Sequence, residues 1–478
     1  MNWKPDHALG VPLYKQIAQH YEERIVRGEL LPGSRLLTER TLAIKLDVNR
    51  STVKSAYNEL RSSGLITSKT GSGTIVSEYA WELDPPRLIN WNSFKGVAFD
   101  PTAVISARIR EMSRSKDVID LANGGISKEL YPVKQLQKLL SNIQLTTNLE
   151  YSDVQGDIEF RETLSSHLKE QYSISASTEE ILITSGAQQA FTLITQCLLQ
   201  PGDAVAVECP SYGYSLKCFS VAGVKMVRLP VDESGVCSEE VIELYKKHRI
   251  RMVVVNPTHQ NPTGTTLSLD RRKRMLEICS ERKIPIVEIN FTNPLIHEDS
   301  TPSPPPLIGL DVEKELVIYV ESLSDTVAPG MRMGWVVGSK SIIERLAEVK
   351  HGIDLGSSAI SQQIASQYIA SKEWSKNVAL YKKALTNRKE RMLKILEKDF
   401  QNHLEWRIPN GGGTVWCKLH HPVNELDLLE SCIKEGVIVV PGSVYGAEKG
   451  FIRLSFAHCK EEEIQVGMTR LNHALKKV

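Results

Sequence analysis

Two stretches of this sequence bring together groups suited to holding anions. In Thr184-Ser185-Gly186-Ala187-Gln188-Gln189 a hydroxyl and a glycine follow the apolar run Ile181-Leu182-Ile183 and lead into a helical pattern. A strand that turns into the start of a helix aims unspent backbone N–H groups at one point, which suits a phosphate. In Asn49-Arg50-Ser51-Thr52-Val53-Lys54 two long cations and two hydroxyls crowd the start of another helix. Arg50, Ser51 and Lys54 fall away from the apolar face Val53, Ala56, Tyr57 and Leu60, so donors there can meet phosphates or guanine edges in a major groove. Between Arg35 and Lys69, seven positive residues against three negative ones leave a surplus of +4 in a chain whose net charge is +1. The whole chain is no polycation, and a nucleic-acid surface must be local.

The elements that would position Arg50 and its neighbours are legible. Pro12 suits a first helical position, and Leu13, Ile17, Tyr21 and Ile25 recur on one helical face, with Gly28 as a stop. Thr38 is a candidate N-cap for a second helix carrying Leu42, Ile44 and Leu46. After an Asp47-Val48 turn, Asn49 can cap a third helix, which Gly64 ends. Two short strands, 65–68 and 74–76, flank Lys69-Thr70-Gly71-Ser72-Gly73, whose glycines let backbone approach a sugar-phosphate chain. Helix, helix-turn-helix and hairpin make a winged helix-turn-helix over residues 11–77.

Pro32-Gly33-Ser34-Arg35-Leu36-Leu37-Thr38-Glu39-Arg40, Asn49 to Val53, Gly64-Leu65-Ile66 and Gly71-Ser72-Gly73-Thr74 together resemble the GntR family of bacterial repressors. The resemblance implies a double-stranded DNA operator as partner, contacted by Arg40, Arg50, Ser51, Thr52, Lys54 and Gly71. The family more often has Arg than Lys at position 54, so a bidentate base contact there is weakened.

At 478 residues the chain is expected to hold two or three domains. Its eight cysteines form no C-x-x-C pair, which fits reduced thiols and no metal site. No apolar leader and no run of eighteen apolar residues are found, so no membrane span is expected and a cytoplasmic protein is. Residues 78–116, with Asp84-Pro85-Pro86-Arg87 and scattered Trp81, Trp91 and Phe94, read as a linker that docks in part on a neighbour. Residues 117–478 alternate short apolar runs (181–184, 204–207, 252–255, 285–287 and 316–319) with helical stretches. That pattern predicts an α/β body with a mostly parallel sheet in its large part, about 117–350. Gly411 to Trp416 and Phe451 to Phe456 suggest a smaller α+β lobe over about 351–478.

Further blocks of this body resemble class I aminotransferases of fold type I, and the whole chain resembles the MocR branch of GntR regulators. Tyr151-Ser152-Asp153-Val154-Gln155-Gly156 is similar to the family's Tyr-Gly-Asp-Pro-Gln-Gly turn. By the same resemblance Ser185, Gly186 and Ala187, with Ser322, Ser324 and Arg332, form a phosphate cup for pyridoxal phosphate. Tyr212 of Pro210-Ser211-Tyr212 would stack on its ring, and Asn261 of Asn256-Pro257-Thr258-His259-Gln260-Asn261-Pro262-Thr263-Gly264 would bond its phenolic oxygen. Arg453 matches the arginine that grips a substrate carboxylate, for which a guanidinium fork is the geometric match. Three positions depart. Asp325 stands where the family has its Schiff-base lysine, seven residues before Arg332. Ile289 and Phe291 replace the Asp that pairs with the pyridine nitrogen and the Tyr that donates to the phenolic oxygen. A one-residue shift would offer the amide of Asn290 instead.

A carboxylate cannot form a Schiff base, which needs a nucleophilic amine. A ring without a carboxylate partner for its nitrogen is also a poor electron sink. The expectation is a transcriptional regulator without catalytic residues, sensing a small molecule (an amino acid, an amine or a phosphorylated ligand) and acting as a homodimer. Covalent pyridoxal phosphate is not expected. A carboxylate beside the cup would repel it, and its non-covalent binding, or that of another phosphorylated or carboxylated ligand, is left open. Asp325 either meets an amine ligand or caps the turn that follows it. The competing readings are a pyridoxal-phosphate enzyme using another lysine, of which Lys340 is the nearest downstream, and a dimerisation body without a ligand.

Overall fold

The computed structural model describes residues 3–6, 10–26, 29–69, 73–78, 102–143, 150–290, 297 and 302–478. Gly28, Gly71, Trp81, Trp91, Phe94 and Phe291 lie outside them. Two units divide the chain, Met1–Gly96 and Val97–Val478.

In the first unit α1 (Leu13–Val26), α2 (Glu39–Leu46) and α3 (Arg50–Ser62) precede an antiparallel pair, β1 (Ile66–Lys69) and β2 (Gly73–Val76). Thr38 caps α2, its hydroxyl accepting from the Thr41 amide at 3.2 Å. Asn49 occupies the cap position of α3 without making the cap bond. Asp47, at φ 58°, turns the chain between the two helices. Ile17, Tyr21 and Ile25 of α1 and Val53, Ala56, Tyr57 and Leu60 of α3 are each no more than 3% exposed. Burial of the Ile, Val and Leu side chains among them stabilises by roughly 1.5–3 kcal/mol apiece before chain entropy is counted. Leu42 and Leu46 join this core, but Ile44 is 74% exposed, because residues two apart cannot share a helix face.

The second unit opens with α4 (Ala103–Met112) and β3 (Ile119–Asp120), followed by α5 (Val133–Asn142) and α6 (Ile158–Tyr172). Its large sheet comprises β4 (Ile181–Thr184), β5 (Ala204–Cys209), β6 (Lys225–Asp232), β7 (Gly235–Val236), β8 (Met252–Val255), β9 (Ile286–Asn290), β10 (Val317–Ser322) and β11 (Gly334–Val337). They lie in the order β4-β11-β10-β9-β8-β5-β6-β7. Strands β6-β5-β8-β9-β10 pair in parallel, and β11 is antiparallel to both its neighbours. Apolar residues cover both faces, as a sheet between two helical layers requires. Strands β6, β7 and β11 are additions to the sequence reading: β6 lies toward the sheet edge, mostly half-exposed and carrying Pro230, so it lacks a continuous apolar run.

In the smaller lobe β12 (Leu404–Trp406), β13 (Thr414–Leu419), β15 (Val440–Pro441) and β16 (Phe451–Ser455) order β12-β13-β16-β15. Between them β14 (Val437–Ile438) pairs in parallel with β3.

Two expectations are corrected. The 78–116 stretch is not linker throughout, since α4 is a helix. It buries Ile105 and packs Ile109 and Met112 against the cluster of Ala122, Trp416, Ile438 and Tyr445, and its Arg108 guanidinium forks onto Glu430 at 2.8 and 3.2 Å. That partner lies 322 residues away, beyond any local signal. The start of the 117–350 stretch belongs with the smaller lobe: β3 pairs with β14, and Leu121 and Ile126 sit in that lobe's core. All eight cysteines are free. Among the described residues no helix is long and apolar enough to cross a membrane, and no cluster of His, Cys, Asp and Glu could hold a metal ion.

Candidate ligand cleft and nucleic-acid face

At the start of α3, Arg50, Ser51 and Lys54 are exposed and Thr52 is half-buried, while Arg40 is exposed on α2. The buried face of α3 fixes this end: the Tyr57 hydroxyl donates to the Leu37 carbonyl at 2.8 Å, tying α3 to the segment before α2. Arg50 meets Glu39 at 3.3 Å with its side chain 71% exposed. An exposed pair of this kind contributes little, so a phosphate or base can displace the carboxylate.

In the second unit a cleft of about 720 Å³ is lined by both lobes. Ala187, Gln188, Tyr212, Asn261, Ser322, Ser324, Asp325, Arg332 and Arg453 all reach it. Its anion end forms where β4 passes into α7 (Ala187–Leu198) and where β10 ends at Ser322. The first-turn amides of α7 are left over by the helix itself. Arg332, held at φ 49°, lays its guanidinium against Gly186 and donates to the Ser185 carbonyl at 2.7 Å. A Cβ on Gly186 would come within 2.7 Å of that guanidinium, so only glycine leaves Arg332 its place. Ser185 and Gly186 thus seat Arg332 and do not themselves line the cleft. Tyr151 is 83% exposed and is not brought to the cleft of its own chain.

At the opposite end Arg453 is buried, 5% exposed. Its guanidinium donates to Asn261 Oδ1 at 3.1 Å and to the Ala122 carbonyl, and it lies over the Tyr445 ring at 5.1 Å. Its Nε, also buried, has no hydrogen-bond partner among the described residues. Asp325 follows Ser324 directly. The turn after it is closed by backbone bonds from Val327 and Ala328 to the Leu323 carbonyl, at 2.9 and 3.2 Å. The Asp325 carboxylate takes no part in that turn and accepts no hydrogen bond among the described residues. Burial pushes its pKa up to about 6, against the opposing pull of Arg453. The same carboxylate helps raise the Tyr131 and Tyr212 phenols above their usual range, second to burial in each.

Pyridoxal phosphate can be tested against these groups. Its phosphate matches the anion end, and Tyr212 supplies an aromatic surface. The reacting end does not fit. Asp325 offers no amine, and no lysine occurs among the described residues lining the cleft. Lys340 pairs with Glu179 at 2.9 Å away from it. Ile289 is buried in an apolar cluster with Val254, Val287 and Ile318. Asn290 gives its amide to the Tyr319 hydroxyl in a buried network with Glu321 and Tyr172, and it does not line the cleft.

Sequence reasoning missed Ser106, Ile109 and Arg110 of α4, Tyr131, and the Asn123-Gly124-Gly125 loop, all of which line the cleft. The glycine pair was the one available signal, since a Cβ on Gly124 would stand 3.2 Å from the Arg453 guanidinium. Nothing local marks α4 as a cleft wall.

Residues 13–76 match the family model of bacterial regulatory proteins, gntR family, and residues 116–471 match that of aminotransferase class I and II. The HTH-type transcriptional regulators YdfD and YisV of Bacillus subtilis (strain 168) are 35% and 32% identical to this chain over 98% of its length, and over 97% and 96% of theirs. The HTH-type transcriptional regulator NorG of Staphylococcus aureus is 28% identical over 92% of this chain and 99% of its own. Among solved structures, the kynurenine aminotransferase of Pyrococcus horikoshii in complex with PMP superposes with a TM-score of 0.74 at 31% identity, over 82% of this chain and 99% of that one.

Proposed function

We infer, for a chain that belongs to the MocR branch of the GntR-type transcriptional regulators, a DNA-binding regulator that senses a small molecule through a body without transaminase chemistry. The observation that carries this reading is Asp325 at the lysine position, in a cleft whose described lining contains no lysine but keeps Ser322, Ser324, Arg332 and Arg453. The remaining groups bind and orient: three guanidiniums hold anions, Tyr212 offers a flat face, and Asp325 accepts hydrogen bonds from a donor. An operator is bound through the start of α3. The protein works as a homodimer, a reading supported by the exposed side chains of Tyr151, Ile158, Ile353, Leu355 and Ile360 around the Ser152–Ser357 contact. Such a regulator acts on the chromosome, in the cytoplasm.

The test is the absorbance spectrum of the full-length protein with added pyridoxal phosphate. No borohydride-sensitive visible band is expected, and such a band would overturn the reading. On the DNA side, Arg50→Ala is expected to weaken operator binding by roughly 1–3 kcal/mol in an anisotropy titration and to relax base preference. Unchanged affinity removes α3 from the interface.

A further inference from the structure

The reading of the cleft as a ligand sensor leaves open which ligand it takes, and the following step rests on that reading. We propose that the cleft binds a phosphorylated primary amine carried on a flat ring, with its phosphate at the Ser322–Ser324–Arg332 end and its ammonium on Asp325.

Three observations converge on that chemistry. Asp325 is adjacent in sequence to Ser324 and three residues from Ser322, and all three line the cleft. The anion seat and the carboxylate are therefore offered together by one short turn at the end of β10. The carboxylate accepts no hydrogen bond among the described residues and lies 3.9 Å from where a Gly125 Cβ would stand, so it faces the loop-bounded space rather than the turn. The charged Arg and Asp side chains of the described lining are Arg110, Arg332 and Arg453 against Asp325. Three minus one leaves +2, which rejects a bare amine and suits a ligand carrying two negative charges and one ammonium.

The alternatives use the cleft less completely. An aldehyde of the same shape gains no partner from Asp325 and leaves a carboxylate unpaired beside its phosphate, which costs affinity. A free amino acid would satisfy Asp325 and Arg453 but leave Ser322, Ser324, Arg332 and the first turn of α7 unfilled. Replacing an amine by a carboxylate at position 325 thus inverts what the reacting end selects: a site for an aldehyde becomes a site for an ammonium. No bond is made or broken in this binding.

Isothermal titration of the full-length protein compares pyridoxamine 5′-phosphate, pyridoxal 5′-phosphate, pyridoxamine, inorganic phosphate and L-glutamate. Pyridoxamine 5′-phosphate is expected to bind roughly tenfold or more tightly than any other member, as one charge-assisted hydrogen-bonded contact allows. Asp325→Asn, which keeps the side-chain shape, should abolish its preference over the aldehyde, with circular dichroism unchanged. Equal or tighter binding of pyridoxal 5′-phosphate, or a preference that survives Asp325→Asn, overturns the proposal. L-glutamate binding with both phosphorylated compounds unbound also overturns it while leaving the sensor reading in place. A borohydride-sensitive band, by contrast, removes the sensor reading itself.

Discussion

The two ends of the cleft are lined by different groups. At the anion end Ser322, Ser324, Arg332 and the start of α7 are all in position. At the other end Asp325 lines the cleft as a carboxylate, and Ile289, outside the lining, is packed in an apolar cluster. The difference follows from how each end is built. Arg332 is interlocked with the fold, through a left-handed backbone, a glycine beneath it and a carbonyl 2.7 Å away. Asp325 projects into space, and no bond among the described residues depends on its identity. Groups that make bonds to a ligand can be exchanged without unfolding the protein, whereas groups whose seats are woven into strand ends cannot. Binding and chemistry are therefore separable in this body.

The sharpest way to break that comparison is to place an amine at position 325. Asp325→Lys is expected to change the spectrum from no visible band to a borohydride-sensitive band with pyridoxal phosphate, because on the proposed reading Ser322, Ser324 and Arg332 seat its phosphate. A variant that folds but stays colourless shows that the anion end no longer holds a phosphate. Next in size, Ile289→Asp places a carboxylate in an apolar cluster without a partner, and chemical denaturation should report a loss of about 3 kcal/mol or more. An unchanged midpoint would mean that the apolar cluster around position 289 tolerates a charge. Gly186→Ala forces a Cβ into the Arg332 guanidinium at a φ of 90°, with an expected cost of about 1–3 kcal/mol and loss of phosphate binding. Neutral behaviour there would unseat the claim that the anion end is locked to the fold.

The smallest effect is a pH dependence. The Asp325 pKa is raised in the folded protein to about 6, so its ionisation opposes folding. Relative to the unfolded chain, the protein is unaffected below about pH 4 and loses stability as pH rises through 6. Asp325→Asn removes that loss, so the variant should be more stable than the parent above about pH 6 and equal to it below about pH 4. A difference that is flat with pH would show that the carboxylate is not desolvated. Bound ammonium should cancel the same loss, which makes the gain smaller in the presence of pyridoxamine 5′-phosphate.

Much of this protein is written locally. The winged helix is legible because α3 repeats Val53, Ala56, Tyr57 and Leu60 at helical spacing, and because the cap at Thr38 and the turn at Asp47 are short-range devices. The central strands β4, β5, β8, β9 and β10 announce themselves as apolar runs, since both faces of the sheet are buried. The ordered blocks around Asn261, Ser322 and Arg332, and the carboxylate at position 325, mark residues that the fold brings to the cleft. Tertiary structure alone decided the rest. It made α4 a wall of the cleft through apolar packing of Ile109 and Met112 and an ion pair spanning 322 residues, moved β3 into the smaller lobe beside β14, and left Tyr151 outside its own chain's cleft. It also freed Asp325 from the turn it could have capped. Periodicity and motif report neighbours a few residues away, whereas these placements depend on which distant surfaces a strand or helix meets once the chain has closed on itself.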